Sequence, residues 1–153
     1  MRDIATAERA ASMVHTRVTG PAGRGYPATQ RWLDELESEL RSDDALRAYR
    51  IMRAWLQLVR ELLPAREAVD LGICLPVPLR GLYYEGWDPA RQPVRCDRET
   101  FVGRFAIIAR IANVEVPPAA RAAWSVFRRN LPGRAAIVWP RLSEDMRRLL
   151  AGR

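Results

Sequence analysis

The sequence contains no lysine; all twenty-five of its cationic side chains are arginine. This removes the Schiff-base nucleophile and the phosphate-loop lysine at once. Histidine is nearly absent as well, and the single one, His15, lies in the N-terminal stretch. A Ser-His-Asp or Cys-His device in the rest of the chain has no base, and histidine-based zinc or di-iron bundle sites have no ligand there. Cysteine is limited to Cys74 and Cys96, without a CxxC pair, which predicts a reducing compartment and a cytoplasmic location. No apolar run approaches the roughly 20 residues that span a bilayer, so no membrane segment is expected. The first thirty residues carry acids early and lack a continuous apolar core, which argues against a signal peptide. GPAGRG (Gly20 to Gly25) has no following Lys-Ser/Thr and no preceding strand, so it is not a phosphate loop. No catalytic residue, metal site or cofactor is expected, and the chain reads as non-enzymatic.

What remains is apolar and arginine-rich. Nearly half of the 153 residues, 48%, are hydrophobic, enough for one globular domain. Charge is unevenly spread. Residues 1–30 hold four Arg and two acids, residues 31–100 eleven Arg and thirteen acids, and residues 101–153 ten Arg and three acids. The net values are therefore +2, −2 and +7.

Residues 3–18 place Ile4, Ala7, Ala11, Val14 and Val18 at helical spacing. With the GPAGRG break they predict an arm over residues 1–25. From residue 26 the signals are helical throughout. Pro27–Leu40 puts Trp32, Leu33, Leu36 and Leu40 on one face. Ser42 and Asp43 offer an N-cap for a helix to about Leu63, apolar but for a stripe of Arg47, Arg50, Arg53, Gln57, Arg60 and Glu61. A stripe that narrow marks a central helix, with its arginines in surface pairs. Pro64 ends it. Ala65–Cys74 forms a third helix, and Leu79–Trp87 continues for a turn or two after a break at Pro76. After the connector DPARQPVRC, Asp97 caps a helix to about Ala112. Pro117 and Pro118 open another to about Asn130, Ala135–Trp139 forms a short one, and Ser143 caps the last.

Displacing the chain by 68 residues superposes Leu63-Pro64 on Leu131-Pro132, with nine identities over thirty positions. The expected fold is all-α. It is a compact helical bundle of two tandem, related, roughly three-helix units (26–88 and 97–153) forming one domain over 26–153.

The segment at the end of the first unit, near the junction with the second, is the most aromatic in the chain: LPVPLRGLYYEGW, Leu75 to Trp87. Together with TQRWLDEL (Thr29 to Leu36) and ETFVGRFA (Glu99 to Ala106) it resembles domain-of-unknown-function family 2267, a bacterial family, over about residues 26–153. Leu75, Pro76, Arg80, Gly81, Tyr83, Tyr84 and Trp87 match its pattern, and Pro78 stands where members mostly have an aliphatic residue. The resemblance implies an all-helical fold with two related halves and brings no activity with it.

Two groups of residues are candidates for recognition. Arg80, Tyr83, Tyr84, Glu85 and Trp87 fall on two adjacent helical stripes. They read either as an anion-binding pocket with aromatic walls or as junction packing, in which Arg80 pairs with an acid and Gly81 lets helices approach. Arg121, Arg128, Arg129 and Arg134 form a basic run that would contact nucleic-acid phosphates if they converge on one face. The acids Asp34, Glu35 and Glu39 read as a solvated face. The leading expectation is a module that binds another protein or itself, presenting an exposed apolar patch beside the aromatic stretch. Nucleic-acid association through the second unit is the alternative, and a small anionic ligand at Arg80 and Tyr84 the third.

Overall fold

The computed structural model describes residues 26–153. The expected arm over 1–25, its helix over 3–18, the GPAGRG linker and His15 lie outside the described residues. Within them the chain is all-α, with eight α-helices, three short 3-10 turns and no strand. None of these helices is long and apolar enough to cross a membrane.

The first helix, α1 (Pro27–Leu40), starts on proline and ends at Arg41, whose φ of 53° is left-handed. The second, α2 (Ala45–Leu62), is capped by Asp44, whose side chain accepts from Arg47 N at 2.9 Å. The sequence suggested Ser42 or Asp43. Three cap-forming residues stand in a row, and Asp44 is the one whose carboxylate reaches the third amide of the helix. Ser42 instead accepts from Asp44 N at 3.1 Å and braces the cap.

Pro64 ends α2, and α3 (Ala65–Cys74) and α4 (Val77–Tyr84) follow. Pro78 falls in the first turn of α4, where a missing N–H costs no helical bond, so the departure at this position leaves the helix continuous. A 3-10 turn, Pro89–Arg91, occupies the connector. Asp97 caps α5 (Arg98–Ala109) by accepting from Thr100 N at 2.7 Å, and that bond holds its carboxyl below the usual range. The helix is shorter than expected because Arg110 turns left-handed (φ 56°), leaving Ala112 outside. After a 3-10 turn at Asn113–Glu115 comes α6 (Val116–Asn130). It stops at Leu131-Pro132, and Pro132 opens α7 (Pro132–Val138). A 3-10 turn, Trp139–Arg141, leads to α8 (Glu144–Leu150), capped by Ser143 as expected.

The centre of the molecule is α2, packed against α1, α4, α5 and α6. Its side chains at Ile51, Met52, Trp55, Leu56 and Val59 are fully buried. An aromatic cluster fastens the early helices to the late ones. Trp55 lies 5.7 Å from Trp124 and 6.1 Å from Phe127, Trp32 lies 6.3 Å from Phe127, and Trp139 stacks on Trp124 at 5.5 Å. Edge and offset contacts at such separations add roughly 0.5–1.5 kcal/mol each beyond area burial.

The second tie is ionic. Arg129 on α6 pairs with Glu35 at 3.0 Å and Glu39 at 2.7 Å on α1. Arg141 meets Glu67 at 2.7 Å, Arg104 meets Glu61 at 2.5 Å, and Arg47 meets Glu115 at 3.3 Å. The stripe on α2 is thus not a simple surface row. Arg47 and Arg50 reach the far half of the chain, and Arg60 is buried at 5% exposure.

Two phenols on the core make stability sensitive to alkali. Burial, with Glu85 nearby, raises Tyr49 to about 12, and burial raises Tyr83 further. An acid whose folded-state pKa is raised stabilises the fold fully below its unfolded value near 10 and loses that contribution as pH climbs to the folded value. Thermal unfolding followed by circular dichroism is therefore expected to fall between about pH 10 and 12. Tyr49→Phe is expected to flatten that decline, because Tyr49 no longer titrates.

Candidate functional site

The aromatic stretch folds into a clamp between α3 and α4. Arg80, one turn into α4, sends its guanidinium back to the end of α3. Its Nε donates to Gly72 O at 3.0 Å, and its Nη2 donates to Ile73 O at 3.0 Å and Leu75 O at 3.2 Å. A helix ends with up to four carbonyls lacking an intrahelical donor and with a partial negative charge. A forked cation answers both, which a lysine's point charge does less well. The expectation that Arg80 pairs with an acid gives way to this capping role.

The two tyrosines bind the same helix. Tyr83 is buried and donates from its hydroxyl to Ala68 O at 2.5 Å. Tyr84 donates to Val69 O at 3.4 Å, and its ring lies over Gly72. A Cβ at Gly72 would stand 2.2 Å from Tyr84 Oη, so the close approach requires glycine at that position. Gly81, by contrast, has nothing within 4 Å of where its Cβ would be. The packing glycine of the clamp is Gly72, and nothing in the structure explains Gly81. Gly86, with φ +67°, then reverses the chain so that Trp87 folds back on Tyr84 at 5.4 Å.

The C-terminal end of α4 is held from α2. Gln57 Nε2 donates to Leu82 O at 3.1 Å, and Arg60 Nη1 donates to Tyr83 O and Glu85 O at 2.6 Å each. Burial pushes the Arg60 guanidinium below its usual pKa, with Glu61 opposing the shift. Glu85 forms a forked pair with Arg53, 2.9 Å at the shorter bond. Of the five residues of the first candidate group, four are thus committed to backbone or to an ion pair.

Trp87 alone of the five lines a cavity of about 320 Å³, beside the connector and α5. Glu61, Asp88, Arg91, Gln92 and Arg104 share that lining. Gln92 is fixed there by its amide, which donates to Arg60 O and, at 2.7 Å, to Leu63 O at the end of α2. Val94 N adds a bond to Glu61 O at 2.6 Å. Hydrogen bonding to Glu61 raises Arg104 above its usual pKa. Cys96 is a neighbour of Glu61 and Arg104, and burial raises the pKa of its thiol. Sequence reasoning singled out neither Arg104 nor Gln92. Glu61 and Arg104 are 43 residues apart, and no spacing rule connects them.

The second candidate group divides. Arg129 is taken up by Glu35 and Glu39, which raise its pKa, and Arg121 Nη1 caps α8 through Leu149 O at 3.2 Å. Arg128 on α6 and Arg134 on α7 have no ion-pair partner among the described residues. Asp34 accepts from Gln30 at 2.6 Å on the exposed face of α1. Among the described residues, no three His, Cys, Asp or Glu side chains come together as a metal site.

Residues 29–149 match the family described as an uncharacterized conserved protein, DUF2267. The chain belongs to this family. No curated protein matches it.

Arg80→Ala removes all three carbonyl bonds and is expected to cost about 1–3 kcal/mol in denaturant unfolding, with faster amide exchange at the end of α3. Arg80→Lys restores only part of this. The two glycines are expected to respond in opposite directions. Gly72→Ala displaces Tyr84 and lowers stability, whereas Gly81→Ala, mid-helix and uncrowded, raises it by about 0.5–1 kcal/mol.

Proposed function

We propose that the protein is a non-enzymatic helical module of the cytoplasm that works by binding another protein through the outer face of α3 and the start of α4. The observation that supports this reading is an exposed apolar stripe beside the clamp. Val69, Ile73 and Val77 are 39%, 63% and 62% exposed. Val69 and Ile73 are one turn apart on α3, and Val77 opens α4. Exposed Arg66 lies on the same helical face, without an ion-pair partner among the described residues. The clamp fixes the geometry of the stripe before any partner arrives, which lowers the ordering cost of association.

Charge bears on the kind of partner. A net +7 opposes stable pairing of two copies. An amphipathic helix with acidic flanks fits both the apolar stripe and Arg66. Nucleic-acid association has less support, since Arg121 and Arg129 are engaged within the fold and leave Arg128 and Arg134 on separate helices.

The test compares the wild-type chain with Ile73→Glu/Val77→Glu, two exposed substitutions expected to leave the circular dichroism spectrum unchanged. Affinity capture from an extract of the native cell is expected to retain a protein with an acidic helical segment on the wild type and lose it on the variant. Sedimentation at increasing concentration checks self-association, expected to be absent. Equal capture by both chains removes this reading. DNA binding that weakens steeply with salt, and is lost in Arg128→Ala/Arg134→Ala, replaces it with the nucleic-acid one.

A further inference from the structure

We infer that the cavity bounded by Trp87, Gln92 and Arg104 is a binding site for a small carboxylate with an apolar or aromatic body. This goes beyond the protein-binding face and does not depend on it, because the cavity is lined by Glu61, the connector and Arg104 of α5, and by no residue of the Val69–Val77 stripe.

The inference rests on which polar groups around the cavity are already satisfied. Its acids are. Glu61 accepts from Arg104 Nη1 at 2.5 Å and faces Arg60 Nη2 at 3.8 Å. Asp88 accepts from Ala90 N at 3.0 Å and lies 3.7 Å from Arg91 Nε. The donors are not. Arg104 engages Glu61 through Nη1, which leaves its Nε and Nη2 without partners among the described residues. Arg91, 82% exposed, has only the loose contact with Asp88. A lining whose acids are paired and whose guanidinium donors are in surplus selects a ligand that brings acceptors. Two arginines line this one space, and they favour a planar, two-oxygen anion, because the guanidinium fork matches a carboxylate.

The rest of the wall suits an apolar body. Trp87 and Val94 line the same space, and Trp87 is held in place by its contact with Tyr84. A volume of about 320 Å³ is at the small end of ligand pockets, which run from roughly 300 to 1,000 Å³. Gln92 cannot swing to close the space, since its amide nitrogen is pinned on the end of α2.

Benzoate is the probe, with inorganic phosphate as the comparison, titrated into the full chain by calorimetry and by tryptophan emission. Saturable benzoate binding is expected, with an emission change that disappears in Trp87→Phe while the heat of binding remains. Arg104→Lys keeps a cation on Glu61 without the fork and is expected to bind about tenfold more weakly or worse. Arg91→Ala, at an exposed position outside the packing, is expected to weaken binding several-fold and to unfold like the wild type. The second variant keeps the test decisive if the first is unstable. Absence of heat and emission change at tens of millimolar benzoate overturns the inference. So does binding of phosphate but not benzoate, or unchanged affinity in Arg91→Ala together with a folded Arg104→Lys.

Discussion

The fold depends on guanidinium groups seated on the carbonyl ends of helices. Arg80 closes α3, Arg60 closes α4, Arg50 reaches Ala109 O on α5 at 3.1 Å, and Arg121 reaches Leu149 O on α8. Three of these four helices have only seven to ten residues, below the length at which an isolated helix is stable in water. Each ends with carbonyls that must find donors, and in a compact bundle those donors come from other helices. An arginine meets this need with a flat fork that serves two or three carbonyls from one position, and the helix dipole adds to the attraction. A chain whose cations are all arginine has this device available wherever a helix ends.

The same side chains account for the charge asymmetry. Residues 31–100 carry a surplus of acid and residues 101–153 a large surplus of base, a pattern that taken alone suggests an external polyanion. In the folded chain Arg104, Arg129 and Arg141 meet Glu61, Glu35 with Glu39, and Glu67 across the two halves. Part of the excess is therefore an internal complementarity that sets how the late helices dock on the early ones. Exposed pairs of this kind contribute little each, about 0–1 kcal/mol, so the buried apolar core, with the aromatic cluster of Trp55 and Trp124 at its seam, supplies most of the cohesion.

How much of this could be read from the sequence follows from which interactions are local. The breaks at Pro64 and Pro132, the caps at Asp97 and Ser143, and the buried length of α2 all depend on residues within a turn of each other, and the sequence displays them. The burial of Gln57 and Arg60 is not local. On α2 they fall at the spacing of a solvated stripe, and only the arrival of the α4 carbonyls 23 to 25 residues later makes them interior groups. The same holds for the clamp. Arg-Gly-x-Tyr-Tyr-x-x-Trp announces a constrained site, but nothing in the motif distinguishes an anion pocket from a helix cap. Gly72, which makes the Tyr84 contact possible, lies outside the motif. The cavity beside Trp87 was illegible because Glu61 and Arg104 meet through tertiary packing alone.

The most distinctive residues of the chain are therefore the ones least available for recognition. Arg80 is occupied by three carbonyls, Tyr83 is buried on a fourth, and Tyr84 covers Gly72. A polar group already bonded inside the fold loses those bonds by turning towards a ligand. The recognition we propose uses side chains with capacity left over: Ile73 and Val77, whose apolar surface faces water, and Arg91 and Arg104, which keep guanidinium donors beyond their ion pairs. Both sets adjoin α4, the stripe at its start and the cavity just beyond its end. In that proposal the part of the clamp is to hold α4 still, so that Val77 at its start and Trp87 just beyond its end stand in fixed positions.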